Sequence, residues 1–110
     1  SDITRSTVSS KVRYTINLTG TFLIIYDINL APAGSSTAVY SWISKNDPAG
    51  TTTRYGYRLN YNNDSHIYQG SDIMYLTSTD YINIIGYSGN YSPTFPASTT
   101  NSFLRIYRLC

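Results

Sequence analysis

The apolar side chains of residues 20–30, Gly-Thr-Phe-Leu-Ile-Ile-Tyr-Asp-Ile-Asn-Leu, recur at every second position. A period of two predicts a β-strand with one continuous apolar face, made of Phe22, Ile24, Tyr26, Ile28 and Leu30. The opposite face begins with Leu23 and Ile25 and turns polar at Asp27 and Asn29. Surface strands normally carry polar residues along their whole outer face. The pattern therefore indicates apolar cover over Leu23 and Ile25, from a second sheet edge or a second copy of the chain, unless this is an ordinary central strand of a sandwich.

Strand patterns recur along the rest of the chain, separated by clusters of Gly, Pro, Asn, Asp and Ser. They predict further strands at Val12–Leu18, Ala38–Lys45, Thr53–Tyr61, Ile73–Thr77, Tyr81–Tyr87 and Phe103–Leu109, with a short extended piece at Ile67–Tyr68. Residues 1–10 are rich in Ser and Thr, and we expect them to be a lead-in or linker. No segment has a convincing helical period, so the fold class is predicted to be an all-β sandwich or barrel.

The composition favours a single β-rich domain. Charged residues make up only 13% of the 110 residues, there is no Glu, and Tyr occurs 12 times. Such a composition suits strands better than helices. The net charge of +2, with Arg and Lys scattered, does not indicate nucleic-acid binding. No apolar run approaches the roughly 20 residues of a membrane span, so no membrane insertion is expected.

Residues for catalysis or metal binding are sparse. His66 is the only histidine, Cys110 is the only cysteine and the last residue, and no Gly-x-Ser-x-Gly sequence occurs. One His and one Cys are too few ligands for a zinc site. The six Asp residues are spread over the loops and strand ends, and no two are singled out as a catalytic pair. We therefore predict a protein that is not an enzyme and that needs no metal and no cofactor.

Several short motifs resemble the globular heads of complement q. Gly20–Tyr26 is similar to the Gly-x-aromatic-x-x-x-Tyr central strand of that family, and Trp42–Asn46 resembles the strand end that follows it. Gly70-Ser71, Leu76 and Asp80 resemble a small-residue, x-Leu-x-x-Gly-Asp run. Ser102–Ile106 resembles the closing strand. The resemblance spans about residues 12 to 109.

Two positions depart from the family pattern. Thr79 stands where Gly is usual, and Arg105 replaces the Gly of the closing strand. The family is the complement q and tumour necrosis factor superfamily, whose fold is a jelly roll of two antiparallel sheets and whose members form homotrimers. The resemblance thus implies a single antiparallel jelly-roll head at residues 11–110, preceded by an upstream stalk, and assembled as a homotrimer.

The resemblance also implies how the faces of the central sheet are used. It assigns the sandwich core to Phe22, Ile24, Tyr26, Met74, Leu76, Leu104 and Ile106. It assigns the trimer interface to Leu23, Ile25, Tyr75, Tyr107 and Leu109. In the family's strand order the loops Ala31–Thr37, Asn62–Gln69 and Ser88–Thr100 share the end away from the termini. Loops on a rigid scaffold commonly carry recognition, so the predicted ligand-binding residues are Asn62, Asn63, His66, Tyr68, Tyr87, Asn90 and Tyr91.

The functional hypothesis is a trimeric head of a surface fibre or spike, viral or phage in type, that binds a host receptor or glycan. Its partners would be its own copies, that receptor or glycan, and an upstream stalk or capsid protein. It would lie on the virion surface or outside the cell. One alternative is a structural capsid decoration or trimerisation cap without a ligand. Another is a secreted signalling ligand of the tumour necrosis factor type.

Overall fold

Eight β-strands and no helix make up the described part of the chain. The structure is a computed structural model, and it describes residues 2–9, 11–29, 38–61, 67–88 and 103–110. The strands are β1 (Ile3–Val8), β2 (Lys11–Ile16), β3 (Gly20–Asn29), β4 (Ala38–Lys45), β5 (Tyr55–Tyr61), β6 (Ile67–Leu76), β7 (Tyr81–Ser88) and β8 (Phe103–Arg108). The all-β prediction is therefore confirmed.

The strands form two antiparallel sheets. One sheet has five strands in the order β1-β2-β7-β4-β5, and the other has three in the order β6-β3-β8. The strand predicted from residues 20–30 is the centre of the smaller sheet, because β3 pairs with β6 over its whole length and with β8 from Phe22 to Asp27. Most neighbours within a sheet are distant in sequence, so the chain crosses repeatedly between the two layers.

The core lies between the two sheets. The three-stranded sheet contributes Phe22, Ile24, Tyr26, Ile28, Met74 and Leu76, and the five-stranded sheet contributes Ile16, Ile43, Ile82 and Ile84. Leu104 and Ile106 of β8 are partly buried and pack against this cluster. The seven residues assigned to the core from the sequence therefore all face it. Two sheets packed through a shared apolar layer are the arrangement of a β-sandwich.

Two elements differ from the sequence prediction. Residues 3–8, expected to be a lead-in, form β1, which pairs with β2 over six register positions around a turn at Ser9 (φ 51°). The side chains of this edge strand are mostly exposed. Because the strand is held by backbone pairing and buries no continuous apolar face, its sequence has no hydrophobic period. β6 is also longer than predicted, since it begins at Ile67 rather than Ile73. Its polar residues Gln69 to Asp72 had suggested a break.

Both described termini lie at one end of the sandwich. Ile3 pairs with Ile16, and Thr21 donates its backbone N–H to the carbonyl of Cys110 at 3.0 Å. The opposite end is where β3 and β6 pair as Asn29 with Ile67. The strand ends that flank residues 30–37, 62–66 and 89–102 all lie at that opposite end.

The outer face of the five-stranded sheet is covered by the chain itself. The segment between β4 and β5, residues 46–54, lies over Trp42; we call it the cover segment. The Trp42 indole donates to the Gly50 carbonyl at 2.8 Å, and the Arg54 guanidinium lies 4.4 Å from the Trp42 ring centroid. Lys11 reaches the segment from β2 and donates to the Pro48 carbonyl at 2.9 Å. Trp42 is consequently only 2% exposed.

Candidate functional site

Most residues predicted to bind a ligand lie outside the described chain. The backbones of Tyr68 and Tyr87 belong to β6 and β7, where they pair with Ile28 and Tyr40. The other predicted ligand-binding residues lie outside the described residues: Asn62, Asn63, His66, Asn90 and Tyr91. The assignment of these residues to ligand binding therefore stays a prediction.

The residues predicted for a trimer interface share the outer face of the three-stranded sheet. The ladder places Leu23 between Ile73 on β6 and Tyr107 on β8, so three apolar side chains form one row. Tyr75 and Leu109 flank Thr21 in the next row towards the termini. We call this surface the open face, which comprises Leu23, Ile25, Ile73, Tyr75, Tyr107 and Leu109.

The large side chains of the open face are extensively exposed in the single chain. Ile73 is 60% exposed, Tyr75 58%, Leu109 51% and Tyr107 49%. Single exposed apolar residues are ordinary on protein surfaces, but contiguous apolar patches mark surfaces for association. The open face is a contiguous patch of this kind, because its members occupy adjacent ladder positions.

The same outer face becomes polar towards the end opposite the termini. The next ladder rows place Ser71 beside Ile25 and Gln69 beside Asp27. An open pocket of about 490 Å³ lies against these rows. Residues Tyr57 and Arg58 of β5 also line it, together with the backbones of Gly56 and Gly70. We call this cavity the β5–β6 pocket. Its volume lies within the roughly 300–1,000 Å³ of small-molecule sites.

Asp27 and Arg58 supply opposite charges to the β5–β6 pocket. The Asp27 side chain is only 9% exposed, whereas Arg58 is exposed. Within the described part of the chain, no hydrogen bond or ion pair engages the Asp27 carboxylate. The carboxylate oxygens are not sealed from solvent, so they face the open pocket. The pocket thus contains an acceptor group that is available to a bound molecule.

Tyr26 joins the two sheets behind the pocket. Its hydroxyl donates to the Gly56 carbonyl at 2.9 Å and lies 2.8 Å from Ser41 Oγ. Because the phenol has one proton, Ser41 is the donor of the second bond. Burial raises the pKa of Tyr26 to about 12, against the smaller opposing effects of the Ser41 hydrogen bond and the Arg58 charge. Tyr26 is therefore neutral at physiological pH and serves as a structural link.

Two glycines make room for close contacts here, Gly70 for the Tyr26 ring of β3 and Gly56 for the β6 backbone. A Cβ on Gly70 would collide with the Tyr26 ring and hydroxyl. Gly56 has a φ of 58°, and a Cβ there would lie 2.9 Å from the Ser71 carbonyl. Gly56 also lies in a bulge, because β5 has one residue more than β4 between the pairs Ser41–Arg58 and Ile43–Tyr55. The bulge interrupts the alternation of β5 and sets Arg58 opposite Ser41.

Two carboxylates organise the connections near the termini. Burial opposes ionisation of Asp47, but backbone N–H groups of Thr52, Thr53, Gly50 and Ala49 outweigh it and lower the pKa of Asp47. These bonds hold the cover segment in a compact turn.

Asp80 performs a similar role in the turn between β6 and β7. Burial again acts to raise its pKa, while hydrogen bonds from Asn46 and Thr77 and the Lys45 charge lower it overall. The Asn46 amide donates to Asp80 at 2.8 Å, and Thr77 donates through both its N–H and its hydroxyl. Asp80 thereby ties the β6–β7 turn to the start of the cover segment.

The described residues contain neither a metal-ligand cluster nor a membrane-spanning helix. In that part of the chain, no three His, Cys, Asp or Glu side chains are grouped to hold a metal ion. None of the described segments forms a helix of sufficient length and hydrophobicity to cross a membrane.

Comparison with protein-family models, with curated proteins and with solved structures finds no significant match. The resemblance to complement q heads thus rests on the short sequence motifs alone. What the structure itself establishes is the all-β architecture of two antiparallel sheets.

The sequence did not predict that the residues lining the β5–β6 pocket form a site. Asp27 was recognised only as the point where the outer face of β3 turns polar. Gly56 carried a usable signal, because a glycine inside an alternating strand is typical of a bulge or a close backbone approach. Gln69 and Ser71 carried no sequence signal for a pocket, because polar residues are common near predicted loops.

Proposed function

We propose that this chain is the non-enzymatic head of a surface fibre or spike, which assembles as a homotrimer and binds a host receptor or glycan. The single observation that carries the proposal is the open face. Its residues Ile73, Tyr75, Tyr107 and Leu109 are about half exposed or more in the single chain. All residues of the open face except Ile73 are those that the resemblance assigns to a trimer interface.

Strand order supports a jelly roll of the tumour necrosis factor type. After β2 the chain changes sheet at every connection except β4–β5, with β3, β6 and β8 in one sheet and β4, β5 and β7 in the other. Among the described strands, only β1–β2 and β4–β5 are sequential neighbours within a sheet. Connections of this Greek-key kind, within eight antiparallel strands, are those of a jelly roll.

A second and third copy of the chain are the proposed occupants of the open face. The exposed part of this face combines aliphatic side chains with two tyrosines, a composition favoured at the centre of protein interfaces. Leu23 and Ile25 are already half buried between their neighbours. Burial of the remaining apolar surface between copies would explain why these side chains are apolar although they are exposed in the single chain.

The proposed ligand-binding end is the one away from both termini. Strand ends flanking residues 30–37, 62–66 and 89–102 gather there, while Asp2 and Cys110 lie at the other end. A stalk joined at the terminal end would hold this end outward. Three copies around one axis would strengthen weak contacts with repeated ligands through avidity.

The trimer is tested by light scattering of the purified domain at micromolar concentration. We expect a mass three times that of one chain. Tyr107→Arg should give a folded monomer, because an unpaired charge would be buried between copies. Tyr55→Arg is the matched control, since Tyr55 is 38% exposed but lies outside the open face. A monomeric wild-type domain, or a Tyr107→Arg trimer, would contradict the proposed assembly.

The structural-cap alternative is supported by the same open face, since a cap also needs a trimer but needs no ligand. Attachment to host cells separates the two functions. Replacing both Tyr68 and Tyr91 by Ala should abolish attachment of an intact trimer if the far end is the binding surface. Undiminished attachment would favour the structural cap.

A further inference from the structure

We propose that the β5–β6 pocket is a binding site for a saccharide, recognised through its hydroxyl groups. The site is distinct from the loops at the far end and lies on the polar half of the outer face. The inference rests on the proposed role in ligand binding, but it does not depend on the trimer.

The first argument is the Asp27 carboxylate. It is nine-tenths buried and lines the pocket, yet no described residue gives it a hydrogen bond or a counter-ion. A carboxylate forms stronger hydrogen bonds than a neutral acceptor does. Two adjacent sugar hydroxyls can donate to its two oxygens at once.

The second argument is that the charges of the pocket are balanced. Arg58 lines the same pocket as Asp27, so their opposite side-chain charges sum to zero. A phosphate-rich ligand would be repelled by Asp27, and a cationic ligand would be repelled by Arg58. Gln69 and Ser71 add groups that both donate and accept. A neutral molecule with many hydroxyls, each a donor and an acceptor, matches this set best.

The third argument is rigidity. The pocket lies on strands β3, β5 and β6 rather than on loops, and the Tyr26 hydroxyl of β3 donates to the Gly56 carbonyl of β5. Gly56 also donates its N–H to the Asp72 carboxylate at 3.1 Å, which joins β5 to β6. The Tyr57 ring is also held, since it stacks on Trp42 with centroids 6.2 Å apart. A preformed site loses little entropy on binding a small ligand.

The test is saturation-transfer NMR with the intact domain and a panel of free sugars. The panel contains glucose, galactose, mannose, N-acetylglucosamine and N-acetylneuraminic acid. We expect transfer to at least one sugar, with a dissociation constant in the millimolar range. Asp27→Asn keeps the shape of the side chain but removes its charge, and it should weaken that binding by about tenfold or more.

Variants at the rim guard against a folding artefact. Gln69→Ala and Ser71→Ala alter exposed side chains, and each should weaken binding several-fold while the amide spectrum stays dispersed. Asp2→Asn and Arg5→Gln are matched controls outside the pocket and should bind as the wild type does. If no sugar in the panel binds, or if Asp27→Asn binds unchanged, the saccharide site is refuted.

Measuring the mass of the same samples separates this inference from the proposed function. A trimer that attaches to host cells but binds no sugar would refute the pocket and leave the fibre head standing. A monomer whose sugar binding is lost in Asp27→Asn would support the pocket and refute the trimeric head.

Discussion

The two sheets treat their outer faces in opposite ways. The five-stranded sheet places Trp42 and Ile85 opposite each other on its outer face, and both are nearly inaccessible, at 2% and 0% exposure. The three-stranded sheet places Ile73 and Tyr107 on either side of Leu23, and both are about half exposed or more. Both faces are apolar, so hydrophobicity alone does not distinguish them.

The difference lies in what the chain supplies as cover. On the five-stranded sheet, the cover segment makes hydrogen bonds to Trp42 and Lys11 and is braced internally by Asp47. On the three-stranded sheet, no described segment has that role. One apolar face is thus covered by the described chain, and the other is exposed in it and is the face on which the proposed trimer rests. The difference shows that local cover, rather than hydrophobicity, decides whether an apolar outer face is exposed in the single chain.

The two outer faces are compared most directly by truncating one apolar side chain on each of them. Trp42→Ala should destabilise the domain by about 3–5 kcal/mol, because it empties a fully enclosed site. Ile73→Ala should change the unfolding free energy of the isolated chain by less than about 0.5 kcal/mol, as is usual for exposed positions. Denaturant unfolding of both variants measures this difference.

The oligomeric background decides how Ile73→Ala is read. Unfolding is therefore measured in a Tyr107→Arg background, where the chain is expected to be monomeric. In the assembled protein the same substitution should weaken association. Equally small changes in the free energy of unfolding for Trp42→Ala and Ile73→Ala would mean that the cover segment does not bury Trp42.

The sequence predicted the elements whose energetics are local. The period of two placed Phe22, Ile24 and Tyr26 on one apolar face of a strand, the resemblance assigned them to the core, and each is 0% exposed. The period exists because one face of a strand is buried continuously, so sequence and burial record the same fact. The bounds of β4 were predicted for the same reason.

What the sequence did not predict depends on contacts between distant segments. The cover segment has no period, and its position follows from bonds between Gly50 and Trp42 and between Pro48 and Lys11. The β5–β6 pocket arises because a bulge at Gly56 brings Arg58 near residues of β3 and β6. Such contacts leave no periodic trace, since each concerns a single residue at a position that only the fold determines.

A second prediction concerns a substitution that weakens the cover segment and leaves the residues of the open face unchanged. Asp47→Asn should destabilise the domain at pH 7 by about 1–2 kcal/mol, because hydrogen bonds from Thr52 and Thr53 to a charged acceptor become bonds to a neutral one. The pKa of Asp47 is lowered in the folded state. Its contribution is therefore complete above the unfolded pKa of about 3.9 and is lost as the pH falls through the lower folded value.

The single tryptophan reports on this experiment directly. Trp42 is the only Trp in the chain, so its fluorescence monitors the covered face. We expect the Trp42 emission of Asp47→Asn to shift to longer wavelength. The difference in unfolding free energy between this variant and the wild type should become smaller below pH 4. A stability difference that stays constant from pH 7 to pH 2.5 would contradict the role of the Asp47 charge.

A third prediction, with a smaller expected effect, concerns a turn that links the two sheets, so a substitution there should affect both faces equally. Thr79 lies in the turn between β6 and β7, which links the two sheets, and its φ is 80°. A β-branched residue is strained in this region, whereas glycine is not. The turn is stabilised by the Thr79 N–H, which donates to the Ile16 carbonyl at 2.8 Å, and a glycine would keep that bond. Thr79→Gly should therefore stabilise the domain by about 1 kcal/mol.

The neighbouring threonine supplies the matched control. Thr77 donates both its N–H and its hydroxyl to Asp80, so Thr77→Gly removes the hydroxyl bond and should destabilise the domain by about 1 kcal/mol. Opposite shifts in melting temperature of about 4 °C in the two variants would attribute the effect to backbone strain rather than to loss of a side chain. Because the turn belongs to both sheets, Thr79→Gly should raise the stability of the Trp42→Ala and Ile73→Ala variants by the same amount. A gain confined to one of them would show that the turn supports one face more than the other.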